Sequence, residues 1–168
     1  MFGQLLTIFA VLVLFAEAES SESSEVAACA DCMHLSYEVR NVPSFISTAL
    51  DSMISSMKNP ACEANTVQPQ TCEPLQFPAW TEHKCLTTKV TLTASNLKGM
   101  MPNAEMDVTV TVRGGCHEQW GTDSDEDECI SLSKLDENTR KQITEQFASI
   151  STQWESVSYS GEVCRESP

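Results

Sequence analysis

Residues 85–116 read CLTTKVTLTASNLKGMMPNAEMDVTVTVRGGC, and the alternation in this stretch decides the fold class. In Leu86–Ala94, the residues Val90, Leu92 and Ala94 alternate with Lys89, Thr91 and Thr93. In Met106–Arg113, the residues Met106, Val108, Val110 and Val112 alternate with Asp107, Thr109 and Thr111. Successive side chains of a strand point to opposite faces, so period two with β-branched residues marks half-buried strands. The link Ser95–Glu105 carries Asn96, Gly99 and Pro102, which favour loops. The expectation is an antiparallel hairpin with a long tip. Leu97, Met100 and Met101 are apolar residues of that tip, and such a group either packs back on the domain or marks a contact site. They are the candidate protein-binding residues.

Outward from the hairpin, two helices are expected. In Pro43–Lys58 the residues Phe45, Ile46, Ala49, Leu50, Met53, Ile54 and Met57 recur at helical spacing. Pro43 suits a first turn and Asn59-Pro60 stops the helix. The stripe reads as core, although its methionines also suit an adaptable contact surface. A second helix is expected over Asp136–Trp154, with Ile143, Phe147, Ile150 and Trp154 on one face and Asp136 or Ser133 as cap. A short strand, Val157–Val163, leads into the last cysteine. Cys62–Trp80, with Pro69, Pro74 and Pro78, reads as loop.

The chain has eight cysteines, Cys29, Cys32, Cys62, Cys72, Cys85, Cys116, Cys129 and Cys164. The apolar run Leu5–Phe15, broken only by Thr7, is too short to span a bilayer and ends in Ala16-Glu17-Ala18, a small-x-small cleavage pattern. Residues 1–18 therefore read as a secretory signal peptide, although without Lys or Arg in the n-region. An even cysteine count in a short secreted chain implies a disulfide framework, and eight cysteines allow 105 pairings. Residues 19–25 contain only Ser and Glu and read as a disordered arm. The remainder, 26–168, reads as one cysteine-rich domain. No spanning segment, GPI signal or Asn-x-Ser/Thr acceptor is found in the sequence.

Three stretches of about thirty residues, Cys32–Cys62, Cys85–Cys116 and Cys129–Cys164, are separated by short gaps, which suits a cross-linked base with three long excursions. Cys29-Ala30-Asp31-Cys32 opens the set; Cys85-Leu86-Thr87-Thr88-Lys89 enters a strand; Val112-Arg113-Gly114-Gly115-Cys116 returns from it; Gly161-Glu162-Val163-Cys164 closes the set. In these features the chain resembles the Ly6/uPAR three-finger (CD59-like) family, in the style of its secreted nematode members. The resemblance implies a small disulfide-rich, mainly antiparallel β, three-finger-like fold, here with two added amphipathic helices. It also implies the pairs Cys29–Cys85, Cys32–Cys62, Cys72–Cys116 and Cys129–Cys164. The chain departs from the family in lacking the usual C-terminal cysteine pair with its Cys-Asn dipeptide. It also carries a helix in the first excursion.

A formal charge of −14 disfavours nucleic acid and anionic membrane surfaces, and it favours a partner with a basic surface. Cys29-Ala-Asp-Cys32 lacks the βαβ setting of a redox pair, and the compartment argues against zinc thiolates. Asp123–Glu128 resembles the start of a calcium loop but places Glu128 and Lys134 where an EF-hand needs Gly and Glu. His34, His83 and His117 have no metal-ligand spacing, and no Gly-x-Ser-x-Gly elbow occurs. The expectation is a secreted, non-enzymatic module without cofactor that presents loops to an extracellular or cell-surface protein such as a receptor or channel. The alternative is a secreted cysteine-rich enzyme inhibitor or defence-type protein.

Overall fold

The computed structural model describes residues 26–99, 101–121 and 127–168. The expected leader, the Ser/Glu arm, Met100 and most of the acidic run at Asp123–Glu128 lie outside the described residues.

The hairpin dominates. Its strands, β4 (Thr81–Leu97) and β5 (Met101–Trp120), are 17 and 20 residues long. They sit inside a five-stranded antiparallel sheet with β2 (Asp31–Arg40), β6 (Glu128–Ser131) and β7 (Trp154–Glu166), in the order β2-β5-β4-β7-β6. A second, two-stranded sheet pairs β1 (Ala28–Cys29) with β3 (Gln70–Thr71). The helices are α1 (Ser44–Ile54), α2 (Pro60–Glu63), α3 (Glu137–Glu145) and α4 (Ala148–Ser151).

Register turns the alternation into two unlike faces. One face carries the rows Tyr37–Val108–Leu92–Tyr159 and Val39–Met106–Ala94–Val157 across four adjacent strands. Leu132, Phe147 and Trp154 complete the buried cluster with these strands, and Ile143 and Ile150 pack against it. Phe147 meets Tyr159 with ring centroids 6.0 Å apart. Burial of each large aliphatic here contributes about 1.5–3 kcal/mol. The opposite face carries hydroxyls, Ser36–Thr109–Thr91–Ser160, with Thr91 and Thr109 hydrogen-bonded at 2.9 Å. In the core-side row Leu35–Val110–Val90–Gly161, the last position is glycine at φ +140°.

Four disulfides cross-link one end of the molecule. Cys29–Cys85 ties β1 to β4, Cys32–Cys62 ties β2 to α2, Cys72–Cys116 ties the segment after β3 to β5, and Cys129–Cys164 ties β6 to β7. These are the pairs that the family resemblance implies. The Cys72 sulfur lies 4.0 Å from that of Cys29, so the bonds of β1 and β5 are neighbours. The fold is thus a small, mainly antiparallel β protein with four disulfides and a few short helices.

Several expectations are corrected. The strands extend well beyond Leu86–Ala94 and Met106–Arg113. The ladder runs on to the pair Leu97–Met101, so the link is shorter than the expected Ser95–Glu105. Pro102 falls in a register shift between Ser95 and Leu97, where the ladder does not need its missing N–H. The second helix is broken. Phe147 N–H donates to the Thr144 carbonyl at 3.0 Å, the chain turns, and Trp154 enters the ladder opposite Leu97. A continuous helix would carry Trp154 past that position. Asp136 does cap α3, accepting from the backbone N–H groups of Asn138 and Thr139 at 3.0 Å each. Helix α1 buries only part of its stripe: Ile54 is buried, whereas Phe45 is 69% and Met53 72% exposed. It runs beside the edge strand β2, where Tyr37 donates its hydroxyl to the Ser47 carbonyl at 3.0 Å. An edge offers a narrower surface than a sheet face. Strand β2 itself was not expected, although Leu35, Tyr37 and Val39 alternate with polar residues. In Cys62–Trp80, α2 and β3 interrupt the expected loop.

Candidate binding surface

Of the three candidate tip residues, Leu97 and Met101 are described and Met100 lies outside the described residues. Leu97 and Met101 are half-buried and pack against the core cluster. They meet there because the register shift turns both toward the inner face.

An exposed aromatic surface lies toward the opposite end of the hairpin. Trp80 is 66%, Trp120 54% and Phe77 47% exposed. Trp120 is the last residue of β5 and pairs with Thr81, the first of β4, so Trp80 and Trp120 leave the ladder side by side. Phe77 stacks on Trp120 with ring centroids 5.7 Å apart and planes inclined by 21°. Pro78, Ala79, Trp80, Glu82 and Trp120 line an open groove of about 630 Å³.

The backbone around these rings is held. Trp80 N–H donates to the Phe77 carbonyl at 2.9 Å, and Gly121 N–H donates to the Trp80 carbonyl at 2.8 Å. The Glu118 carboxylate, reaching over from β5, accepts from Phe77 N–H at 3.0 Å and Gln76 N–H at 3.2 Å, and from the Thr81 hydroxyl. The Thr81 hydroxyl, then the Phe77 amide, hold the Glu118 carboxyl below the usual carboxylate range, against the smaller opposing effect of burial. Glu118 therefore clamps Gln76–Thr81 to β5 as an ionised group.

A separate hollow of about 360 Å³ is lined by Asp31, Glu73, His83 and Glu118. His83 Nε2 lies 2.8 Å from the Glu73 carbonyl oxygen. His83 and His117 reach adjacent strands but are one position out of register, so they point to opposite faces. His34 is buried, with Nδ1 accepting from Asn59 N–H at 2.8 Å and Nε2 3.4 Å from a Glu63 oxygen. The bond at Nδ1 places the ring proton on Nε2 when the ring is neutral. Among the described residues, the groups with metal-ligand proximity are Cys29/Cys72/Cys116 and Cys129/Glu162/Cys164, whose sulfurs are all spent in disulfides. No helix among the described residues is long and apolar enough to cross a membrane.

No protein-family model, curated protein or solved structure matches the chain. Phe77, Trp80 and Trp120 belong to no periodic pattern of the sequence. The available signal is their setting: a proline-interrupted stretch carries Phe77-x-x-Trp80.

Proposed function

We propose that the protein is a secreted, non-catalytic binding module of the Ly6/uPAR three-finger kind, engaging an extracellular or cell-surface protein such as a receptor or channel. The observation that carries the binding reading is the aromatic surface formed by Phe77, Trp80 and Trp120. Large rings left in water near one another, on a backbone already held by hydrogen bonds, are characteristic of contact sites. Tryptophan in particular supplies much contact area with few torsions to freeze. The family part is supported by the disulfide pairs and by the way each long excursion springs from the cross-linked end. Cys32–Cys62 closes the first excursion, β4 and β5 form the second, and Cys129–Cys164 closes the third.

Probing an array of extracellular and receptor ectodomains with the oxidised protein tests the reading. The expected result is a specific binder that is lost with W80A/W120A while near-ultraviolet circular dichroism shows an intact core. Binding that survives the double variant removes the aromatic surface from the function.

A further inference from the structure

Resting on the binding-module reading, we propose that the Phe77–Trp80–Trp120 surface receives an arginine or lysine side chain from a basic segment of the partner protein. The face of an indole attracts a cation that lies within about 6 Å of its centroid, and tryptophan does so best of the aromatic residues. Two of the three tryptophans in the chain are exposed at this site, and the third, Trp154, is in the core. Glu82 lines the groove, and Glu118, which lines a separate hollow with Asp31 and Glu73, fastens the Phe77 backbone and the Thr81 hydroxyl at its edge. Two carboxylates, those of Glu82 and Glu118, thus lie at the aromatic groove, in a chain whose formal charge is −14. The long-range field draws in a cationic segment and the rings hold its side chain.

The same chemistry occurs once within the described residues, satisfied internally. Lys58 Nζ lies 5.3 Å from the centre of the Tyr37 ring and 2.9 Å from an Asp51 oxygen. Two cations, Lys84 and Arg165, line a neighbouring hollow together with Trp120. Lys84 is matched by acidic groups, its Nζ lying 3.4 Å from Glu82 and 3.8 Å from Asp127. A sugar fits the groove less well. Glu118 already accepts from Gln76, Phe77 and Thr81, and the Glu82 Oε1 atom is buried beside Lys84, so neither is placed to bind several hydroxyls. Because the backbone is already held, little ordering is needed when a side chain docks.

The test uses the full oxidised protein and two blocked tetrapeptides, Gly-Arg-Arg-Gly and its neutral citrulline counterpart, followed through the three indole N–H signals in a proton–nitrogen correlation spectrum. The expected result is that the arginine peptide moves the Trp80 and Trp120 signals and leaves that of Trp154 in place. The citrulline peptide binds at least about tenfold more weakly, and added salt weakens the arginine peptide alone. W120A loses the response and W120F retains part of it, while the Trp154 signal reports an intact fold in both. Equal binding of the two peptides overturns the cation and leaves an apolar dock, with the binding-module reading intact. No movement of Trp80 or Trp120 with either peptide also overturns the proposal. Failure of the module reading itself shows separately, as an ectodomain array on which the oxidised protein finds no binder.

Discussion

Gly161→Ala is expected to be among the most damaging single-methyl additions to this protein. Gly161 lies in β7 opposite Val90 of β4, at φ +140°. A Cβ built there would sit 2.1 Å from the Lys89 carbonyl oxygen, 2.9 Å from the Val90 Cα and 3.0 Å from the Lys89 carbonyl carbon. All three are backbone atoms of the central strand, so no side chain can rotate away. Relief requires β7 to move more than an ångström from β4, or residue 161 to leave its positive φ. Holding a non-glycine residue at such a φ costs about 1–3 kcal/mol, and forcing extra volume into a packed site costs about 1–3 kcal/mol more. Together they give about 4 kcal/mol, a large part of the ~5–15 kcal/mol that holds a typical domain folded. In a domain of this size that lowers Tm by about 12 °C. Denaturant unfolding of the oxidised protein, with near-ultraviolet circular dichroism as the probe, measures it. Gly99→Ala is the control. Gly99 has φ +71° and nothing within 4 Å of the added carbon, so only the left-handed backbone penalty of about 1–2 kcal/mol applies. If Gly161→Ala is no more damaging than Gly99→Ala, the close approach of β7 to β4 is wrong.

Leu92→Ala, at a fully buried position between Val108 and Tyr159, should cost about 2–5 kcal/mol in the same denaturant assay. Replacing both Cys129 and Cys164 by serine opens a 35-residue loop and should lower stability by about 4 kcal/mol on the chain-entropy account, read as a shift in the denaturation midpoint. Met101→Asp should impair folding before it impairs binding, because Met101 packs on the core; normal stability with lost partner binding would return the hairpin tip to the contact surface. Glu118 binds its proton less readily folded than unfolded. Its stabilising contribution is therefore present above the ordinary glutamate range and is lost as pH falls through that range and the depressed folded value. Exposed-tryptophan emission should change over this acid window, and E118Q should flatten the change.

The alternation in β4 and β5 was legible because a strand half-buried in a sheet must repeat with period two; Val90, Leu92, Ala94, Met106 and Val108 are core residues and Val110 packs against them, whereas Val112 lies outside that cluster. The α1 stripe was legible as a helix but not as to what it would cover, since periodicity records apolar side chains and not the width of the surface they meet. Ile54 found the interior, while Phe45 and Met53 did not. The break before α4 was hidden because Ile143, Phe147, Ile150 and Trp154 keep helical spacing, and all contribute to the core from either side of the turn. The aromatic surface was hidden for a different reason. Phe77 and Trp120 are 43 positions apart in number, and only the Glu118 clamp and the start of the β4–β5 ladder bring them together.

Local chemistry determined the class of this protein: β-branched alternation, proline and glycine at the ends of runs, and an even set of cysteines constrain each segment without reference to distant ones. Tertiary structure decided what those segments expose. Whether Met101 is core or contact depends on a register shift, whether Gly161 is tolerated or required depends on how closely β7 approaches β4, and whether three aromatic rings make a surface depends on which strand ends meet. Those are properties of long-range pairing, where one residue of register reverses every face, and no local pattern encodes them.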